Sequence, residues 1–181
     1  MSFCARFAWL LLALSACGYS VPGALPDTRL GRLAIHAPEN HTAYEGLGRV
    51  VGDALRREAL RRPGCELVED PSRADWVLTG RVLRVEGESA SLSPVVLELE
   101  RELTLALELR ARGADGREVR GRRRTLRETE RYLSSPDPEA RRKNRDEALR
   151  RAAHVLAARF LDRVAEAAPA AAEAAGAEDP A

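Results

Sequence analysis

Residues 95–111 contain the longest alternation of apolar and polar side chains in the chain, and this stretch limits the possible folds most strongly. One side of the alternation consists of leucines: Leu97, Leu99, Leu103, Leu105, Leu107 and Leu109. The other side is mainly charged: Glu98, Glu100, Glu102, Thr104, Ala106, Glu108 and Arg110. Because side chains alternate between the two faces of a β-strand, the pattern predicts a long strand with one buried and one wet face. Arg101 interrupts the leucine side, where a bulge or a sheet edge would accommodate it.

Further strands are predicted on both sides of this one. Residues 32–37 alternate, residues 65–68 fit a short strand, and residues 76–86 are rich in β-forming side chains. The glycine-bearing sequence at 113–116 is typical of a hairpin turn. A polar strand over residues 117–130 would then return along the leucine-rich strand.

The first helix is predicted to follow Thr42. Thr42 and Glu45 have the spacing of a capping box, with Thr42 as N-cap and Glu45 three residues later. Apolar residues then recur every three or four positions, which indicates one buried helix face. Gly48 and Gly52 weaken such a helix by roughly 1 kcal/mol each relative to alanine. The same two glycines would let the helix lie close to the element it packs on.

The last helix is predicted from a second apolar stripe: Leu149, Ala152, Ala153, Leu156, Phe160 and Val164. Ser135 or Asp137 is available as its N-cap, and a proline follows each of them. Both helices and the sheet have one apolar face. The order of elements therefore predicts an α/β fold of the α+β type: a two-layer sandwich with both helices on one face of a mainly antiparallel or mixed sheet of about four strands.

The amino terminus predicts export and lipid attachment. Residues 1–16 have a short basic segment, an apolar run and small residues, as in a secretory signal. The apolar run is far shorter than the about 20 residues that a membrane span needs. Cys17 follows Leu-Ser-Ala, which is typical of a lipobox, where the cysteine thiol is acylated and the peptide is cut before it. A plain secretory signal with a chance cysteine is the alternative. Gly18 after the cysteine favours sorting to the outer membrane.

The remaining chain divides by composition. We expect a lipidated anchor and connector over residues 17–31, the α/β sandwich over 32–166 and an alanine-rich, low-complexity tail over 167–181. Cys4 would leave with the signal and Cys17 would carry lipid, so Cys65 would have no partner for a disulfide. Cys65 is therefore interpreted as a small core residue.

The sequence gives little support for catalysis. His36 and His41 flank Glu39, but their spacing matches no zinc pattern, and His154 lies beside the apolar stripe of the last helix. Nucleophile-elbow, phosphate-loop and dinucleotide motifs are missing from the sequence. We therefore predict a protein without enzymatic activity, metal or cofactor. The net charge of +1 gives no overall attraction for polyanions, and nucleic acid is not an expected partner.

The segment from 117 to 131 is strongly basic, with seven arginines in fifteen residues: Arg117, Arg120, Arg122, Arg123, Arg124, Arg127 and Arg131. Strand alternation would place Arg120, Arg122 and Arg124 on one face, and Arg117, Arg123 and Arg127 on the other. Two interpretations remain open. The arginines could pair with glutamates of the neighbouring strand, each pair contributing about 0.2–1 kcal/mol. Alternatively, they could form a surface that binds phosphate groups, to which guanidinium groups are well suited.

Several short motifs occur in an order that suggests a known family. Leu14 to Tyr19 reads Leu-Ser-Ala-Cys-Gly-Tyr, and Pro38-Glu39-Asn40-His41-Thr42 follows the first predicted strand. Glu45-Gly46-Leu47 opens the first helix, and Ala74-Asp75-Trp76-Val77-Leu78-Thr79-Gly80 enters a strand. From about Cys17 to Val164 the chain resembles the LPS-assembly lipoprotein family, LptE.

This resemblance implies a two-layer α/β sandwich attached through Cys17 to the periplasmic side of the outer membrane. It further implies that the protein acts as a plug and assembly partner of the LPS-assembly β-barrel LptD and helps deliver lipopolysaccharide to the outer leaflet. Arg120, Arg122 and Arg124 would then contact lipopolysaccharide phosphates. A periplasm-facing accessory lipoprotein of another transport or secretion complex is the alternative, and a hydrolytic lipoprotein is the third class considered.

Overall fold

The structure, a computed structural model, describes residues 30–89, 99–120 and 125–168. The expectations for the signal sequence, Cys17, Arg122, Arg124 and residues 169–181 lie outside the described residues.

Seven strands and two long helices form the described part of the chain. In chain order they are β1 (Gly31–Ile35), β2 (Glu39–Asn40), α1 (Leu47–Leu60), β3 (Cys65–Leu67), a 3-10 turn (Pro71–Arg73), β4 (Trp76–Ser89), β5 (Leu99–Gly113), β6 (Glu118–Arg120), β7 (Leu126–Ser134) and α2 (Pro138–Ala167). The strands form one sheet in the order β3-β1-β4-β5-β6, with β2 also paired to β4 and β7 also paired to β5. Strand β1 pairs in parallel with β3 and β4, and β2 pairs in parallel with β4. Strand β5 pairs antiparallel with β4, β6 and β7.

The predicted fold class is confirmed: both helices pack on the same face of a mixed sheet. The number of strands differs from the predicted four. Strand β2 has only two residues, which is too short for side-chain alternation to reveal it, whereas β3 lies within the short strand predicted at residues 65–68. The basic returning strand is also divided into β6 and β7.

The leucine-rich strand lies at the centre of the core. Leu103, Leu105, Leu107 and Leu109 are at most 2% exposed, and they face the helices as predicted. Phe160 of α2 is fully buried against the same cluster. Burying an aromatic or aliphatic side chain of this size contributes about 1.5–3 kcal/mol, so this cluster dominates the packing of the two layers.

The predicted capping box at Thr42 and Glu45 is wrong. Helix α1 begins at Leu47, after Gly46, which has a left-handed φ of 72° and gives the helix no side-chain cap. Thr42 instead belongs to a turn, in which its hydroxyl donates to the Asn40 side chain at 2.8 Å. The Asn40 amide nitrogen donates to the Tyr44 carbonyl at 2.7 Å, and this side-chain pairing holds the turn in place of a helical start.

Helix α2 begins with one of the two predicted caps. The Asp137 carboxylate accepts hydrogen bonds from the backbone N–H groups of Glu139 and Ala140, at 3.1 and 3.2 Å. Pro138 occupies the first helical position, where its missing N–H costs nothing. The Ser135 hydroxyl accepts from the Asp137 backbone N–H instead.

Candidate functional site

The sheet face opposite the helices carries most of the charged strand residues. The register places side chains of β4, β5, β6 and β7 in transverse rows on this open face. Two of these rows contain pairs of arginines. The Arg110–Arg120 row joins β5 to β6, and the Arg84–Arg127 row spans β4, β5 and β7 with Ala106 in the middle.

The predicted distribution of arginines between the two faces is wrong at Arg127. Leu107 of β5 pairs with Leu126 of β7, whereas the register of β6, in which Arg110 pairs with Arg120, would bring Leu107 opposite position 123. The register therefore shifts by three residues between β6 and β7. Because an odd shift inverts the alternation, Arg120 and Arg127 lie on the same open face.

Like charges face each other directly in the Arg110–Arg120 row, which alone would be destabilising. Each guanidinium is balanced by a carboxylate two residues earlier on its own strand. Arg120 contacts Glu118 at 2.7 Å, and the Arg110 Nε donates to Glu108 at 3.2 Å. The row therefore keeps two arginines together on a half-exposed surface.

The ionisation of these carboxylates reflects their arginine neighbours. The hydrogen bond from Arg110 holds the pKa of Glu108 below its ordinary value, although desolvation opposes this shift, and the charges of Arg110, Arg81 and Arg120 lower the pKa further. The hydrogen bond from Arg120 likewise lowers the pKa of Glu118. Glu118 in turn raises the pKa of Arg120, so this pair remains ionised at neutral pH.

The Arg84–Arg127 row has a different geometry. Ala106 is only 1% exposed although it lies on the open face. Arg84 and Arg127 are its cross-strand neighbours, and long arginine stems can cover a small apolar residue while their charged ends stay in water. Arg84 contacts Glu86 of its own strand at 2.8 Å, and Arg127 is exposed.

Cross-strand pairing accounts for only part of the basic segment. Arg131 contacts Glu102 of β5 at 2.8 Å, as that interpretation expects. Arg120 pairs within its own strand. Arg117 contacts Asp115 at 3.0 Å and donates to the Ala167 carbonyl at the end of α2. A cation is favourable at a helix C-terminus, so Arg117 connects the hairpin to the helix layer.

Sequence reasoning left Arg81, Arg84 and Arg110 out of the basic surface. The alternation had already placed Arg110 on the polar side of β5. The two arginines of β4 gave no such signal, because the register shift between Val82 and Arg84 changes their position relative to β5.

His41 and His154 contact residues outside the two arginine rows. The His41 Nε2 lies 3.3 Å from Glu39, whose carboxylate also meets the Arg81 Nε at 3.4 Å. His154 lies between the helices, beside Arg61 and Glu58. Within residues 30–89, 99–120 and 125–168, no three His, Cys, Asp or Glu side chains group closely enough to hold a metal ion. Neither long helix in these ranges has the length and apolar character of a membrane span.

The fold and this face define a class: a two-layer α+β domain with one helix-covered and one charged sheet face. The family model described as lipopolysaccharide-assembly, LptE, matches residues 30–164. The chain therefore belongs to the LptE family, whose members are lipoproteins without enzymatic activity. No curated protein matches the sequence.

Solved structures share the fold at low sequence identity. Protein XCC0632 from Xanthomonas campestris is 15% identical, with a TM-score of 0.54 over 78% of this chain and 88% of its own. Protein CT253 from Chlamydia trachomatis is 10% identical, with a TM-score of 0.52 over 74% and 97%. Rare lipoprotein B from Shewanella oneidensis is 19% identical, with a TM-score of 0.48 over 76% and 96%. At these identities the first two similarities establish the fold alone.

Proposed function

We propose that this protein is an outer-membrane lipoprotein that acts as plug and assembly partner of the LPS-assembly barrel LptD and helps deliver lipopolysaccharide to the outer leaflet. The observation that carries the proposal is the LptE family match, which includes every described strand and most of α2. The open face of the sheet gives a physical reason for a position inside a barrel. This helix-free face is charged and hydrogen-bonding, and such a surface suits the polar interior of a large barrel.

In this proposal Cys17 carries the lipid anchor. Leu30 is fully buried, precedes β1 and lies thirteen residues after Cys17 in the sequence. Thirteen residues span at most about 45 Å when fully extended. The anchor would therefore hold the domain close to the periplasmic surface of the membrane.

The proposed ligand contacts are Arg120, Arg122 and Arg124, which would bind phosphate groups of lipopolysaccharide. Arg120 supports this assignment because it lies half-exposed on the open face beside Arg110. Its pairing with Glu118 leaves some of its five N–H donors for a phosphate.

Affinity purification of the lipidated protein from its own membranes tests the barrel partnership. We expect a large outer-membrane β-barrel to copurify in stoichiometric amount, identified by mass spectrometry. A Cys17→Ser variant is the matched control for the anchor, because it should fold but no longer attach to the outer membrane. Recovery of the lipidated protein with components of another transport or secretion complex, and without a barrel, would refute the proposal in favour of that alternative.

Charge reversal tests the ligand contacts. An Arg120→Glu, Arg122→Glu, Arg124→Glu variant should bind lipopolysaccharide more weakly, while its circular dichroism spectrum stays unchanged. Arg57→Glu on the exposed side of α1 is the control, because it changes a charge on the opposite layer. Lipopolysaccharide binding equal to that of the unmodified protein would refute the assignment of these arginines.

A further inference from the structure

The two arginine rows of the open face are separate from each other. They cross β5 at Ala106 and Arg110, which are four residues apart on the same strand. A strand rises about 3.4 Å per residue, so the rows lie about 14 Å apart. The Glu108 carboxylate lies between them, opposite Arg81 of β4. The two arginine rows therefore offer two positions for an anion, and the Arg81–Glu108 row lies between them.

Each row can present two guanidinium groups to one anion. Arg110 and Arg120 are direct cross-strand neighbours, with Cβ atoms about 5 Å apart. Arg84 and Arg127 start about 10 Å apart, on either side of β5, and can converge over the small side chain of Ala106. A phosphate offers several oxygens to such a pair, and planar guanidinium forks bind these oxygens bidentately.

The existing ion pairs do not block these positions. The contacts of Arg84, Arg110 and Arg120 with glutamates of their own strands are all partly exposed to solvent. Exposed ion pairs of this kind contribute about 0–1 kcal/mol. An arriving phosphate can therefore share or displace the glutamate without a large cost.

We propose that this face binds a glycolipid headgroup that carries two phosphate groups, one at the Arg110–Arg120 row and the other at the Arg84–Arg127 row. The inference rests on the proposed function and narrows its ligand to the doubly phosphorylated form of lipid A. Arg84, Arg110 and Arg127 join Arg120 as binding residues. A ligand with one phosphate can occupy only one row at a time.

Two lipids and three variants test the proposal with the lipidated protein in detergent. Binding of bisphosphorylated lipid A is compared with that of monophosphorylated lipid A for the unmodified protein, Arg120→Gln, Arg127→Gln and Arg57→Gln. Linked phosphates bind cooperatively, so we expect the unmodified protein to prefer the bisphosphorylated lipid by about tenfold. Each row variant should lose about this factor for the bisphosphorylated lipid. For the monophosphorylated lipid each should lose at most about twofold, because the remaining row still accepts the phosphate.

The control variant, Arg57→Gln, should behave as the unmodified protein. Equal affinity for both lipids, or unchanged bisphosphorylated binding in Arg127→Gln, would overturn the two-row site. Capture of the barrel by the same preparation is measured in parallel. If the barrel copurifies but the two lipids bind equally, the two-row site is refuted and the proposed function stands. If neither the barrel nor lipid is retained, both are refuted.

Discussion

Helix α1 lies so close to the segment before it that two of its glycines should respond in opposite ways to the same substitution. A methyl group added at Gly48 would overlap the carbonyl oxygen of Pro38. A methyl group at Gly52 would lie 3.3 Å from the Cα of Ala37, a tight contact that a few tenths of an ångström relieve. Alanine stabilises a helix by about 1 kcal/mol relative to glycine at either position.

The two substitutions therefore differ mainly in their packing cost. Gly48→Ala forces helix or backbone to move, and overpacking of this kind costs about 1–3 kcal/mol, so a net loss of about 1 kcal/mol is expected. Gly52→Ala should keep most of the propensity gain. The expected gap of about 2 kcal/mol corresponds to urea midpoints about 1 M apart, measured by far-ultraviolet circular dichroism. A Gly48→Ala protein as stable as Gly52→Ala would refute the close approach of the helix.

Three further perturbations test the core, an ion pair and the free thiol. Phe160→Ala should lower the free energy of unfolding by about 3–5 kcal/mol in urea titrations, because the ring is fully buried; a loss below 1 kcal/mol would contradict this packing. The hydrogen bond from Arg32 lowers the pKa of Asp75, so the ionised carboxylate stabilises the fold above about pH 4 and this stability is lost as the pH falls through the lowered pKa. Asp75→Asn should thus be destabilised at pH 7, and its gap to the unmodified protein should close in acid; a gap independent of pH would refute the linkage. Burial raises the pKa of the Cys65 thiol to about 11, so a thiol reagent should label it slowly at pH 8 and rapidly in urea; rapid labelling of the native protein would contradict its burial.

Sequence patterns predicted those elements in which a regular series of apolar side chains faces the core. The leucines of β5 and the apolar stripe of α2 are both long and regular, and each faces the same core cluster. The hairpin turn was also predictable, because Gly116 supplies the positive φ of 83° that the turn needs. These signals are local, so they survive without knowledge of the tertiary structure.

The first residue of α1 could not be predicted from sequence patterns. Thr42 and Glu45 have suitable spacing for a cap, but the Thr42 hydroxyl donates to Asn40, and the helix begins at Leu47, directly after Gly46. The choice depends on a competing side-chain bond and on the close packing of the helix against Pro38. Spacing along the chain carries no information on either contact.

The candidate site was predictable only in its chemistry. The basic segment indicated a surface rich in guanidinium groups, and Arg120 lies on such a surface. The arginine beside it, Arg110, comes from β5, however, and the register that brings the two together is a tertiary property. Alternation along the sequence also gave no indication of the three-residue register shift between β6 and β7, so it placed Arg127 on the wrong face.

The three-residue register shift between β6 and β7 determines which side chains of β7 face the core and which face the open side of the sheet. With a continuous register from β6, the phase of β7 would invert, and Leu126 would face water while Arg127 would point toward the helices. The observed shift instead pairs Leu126 with Leu107 in the core and puts Arg127 beside Ala106 on the open face. On the helix side, the same phase brings Glu128 to Arg159 and Glu130 to Arg151 of α2. The register shift thus completes the apolar layer and allows ion pairs between β7 and α2. It also places Arg120 of β6 and Arg127 of β7 on the same face of the sheet.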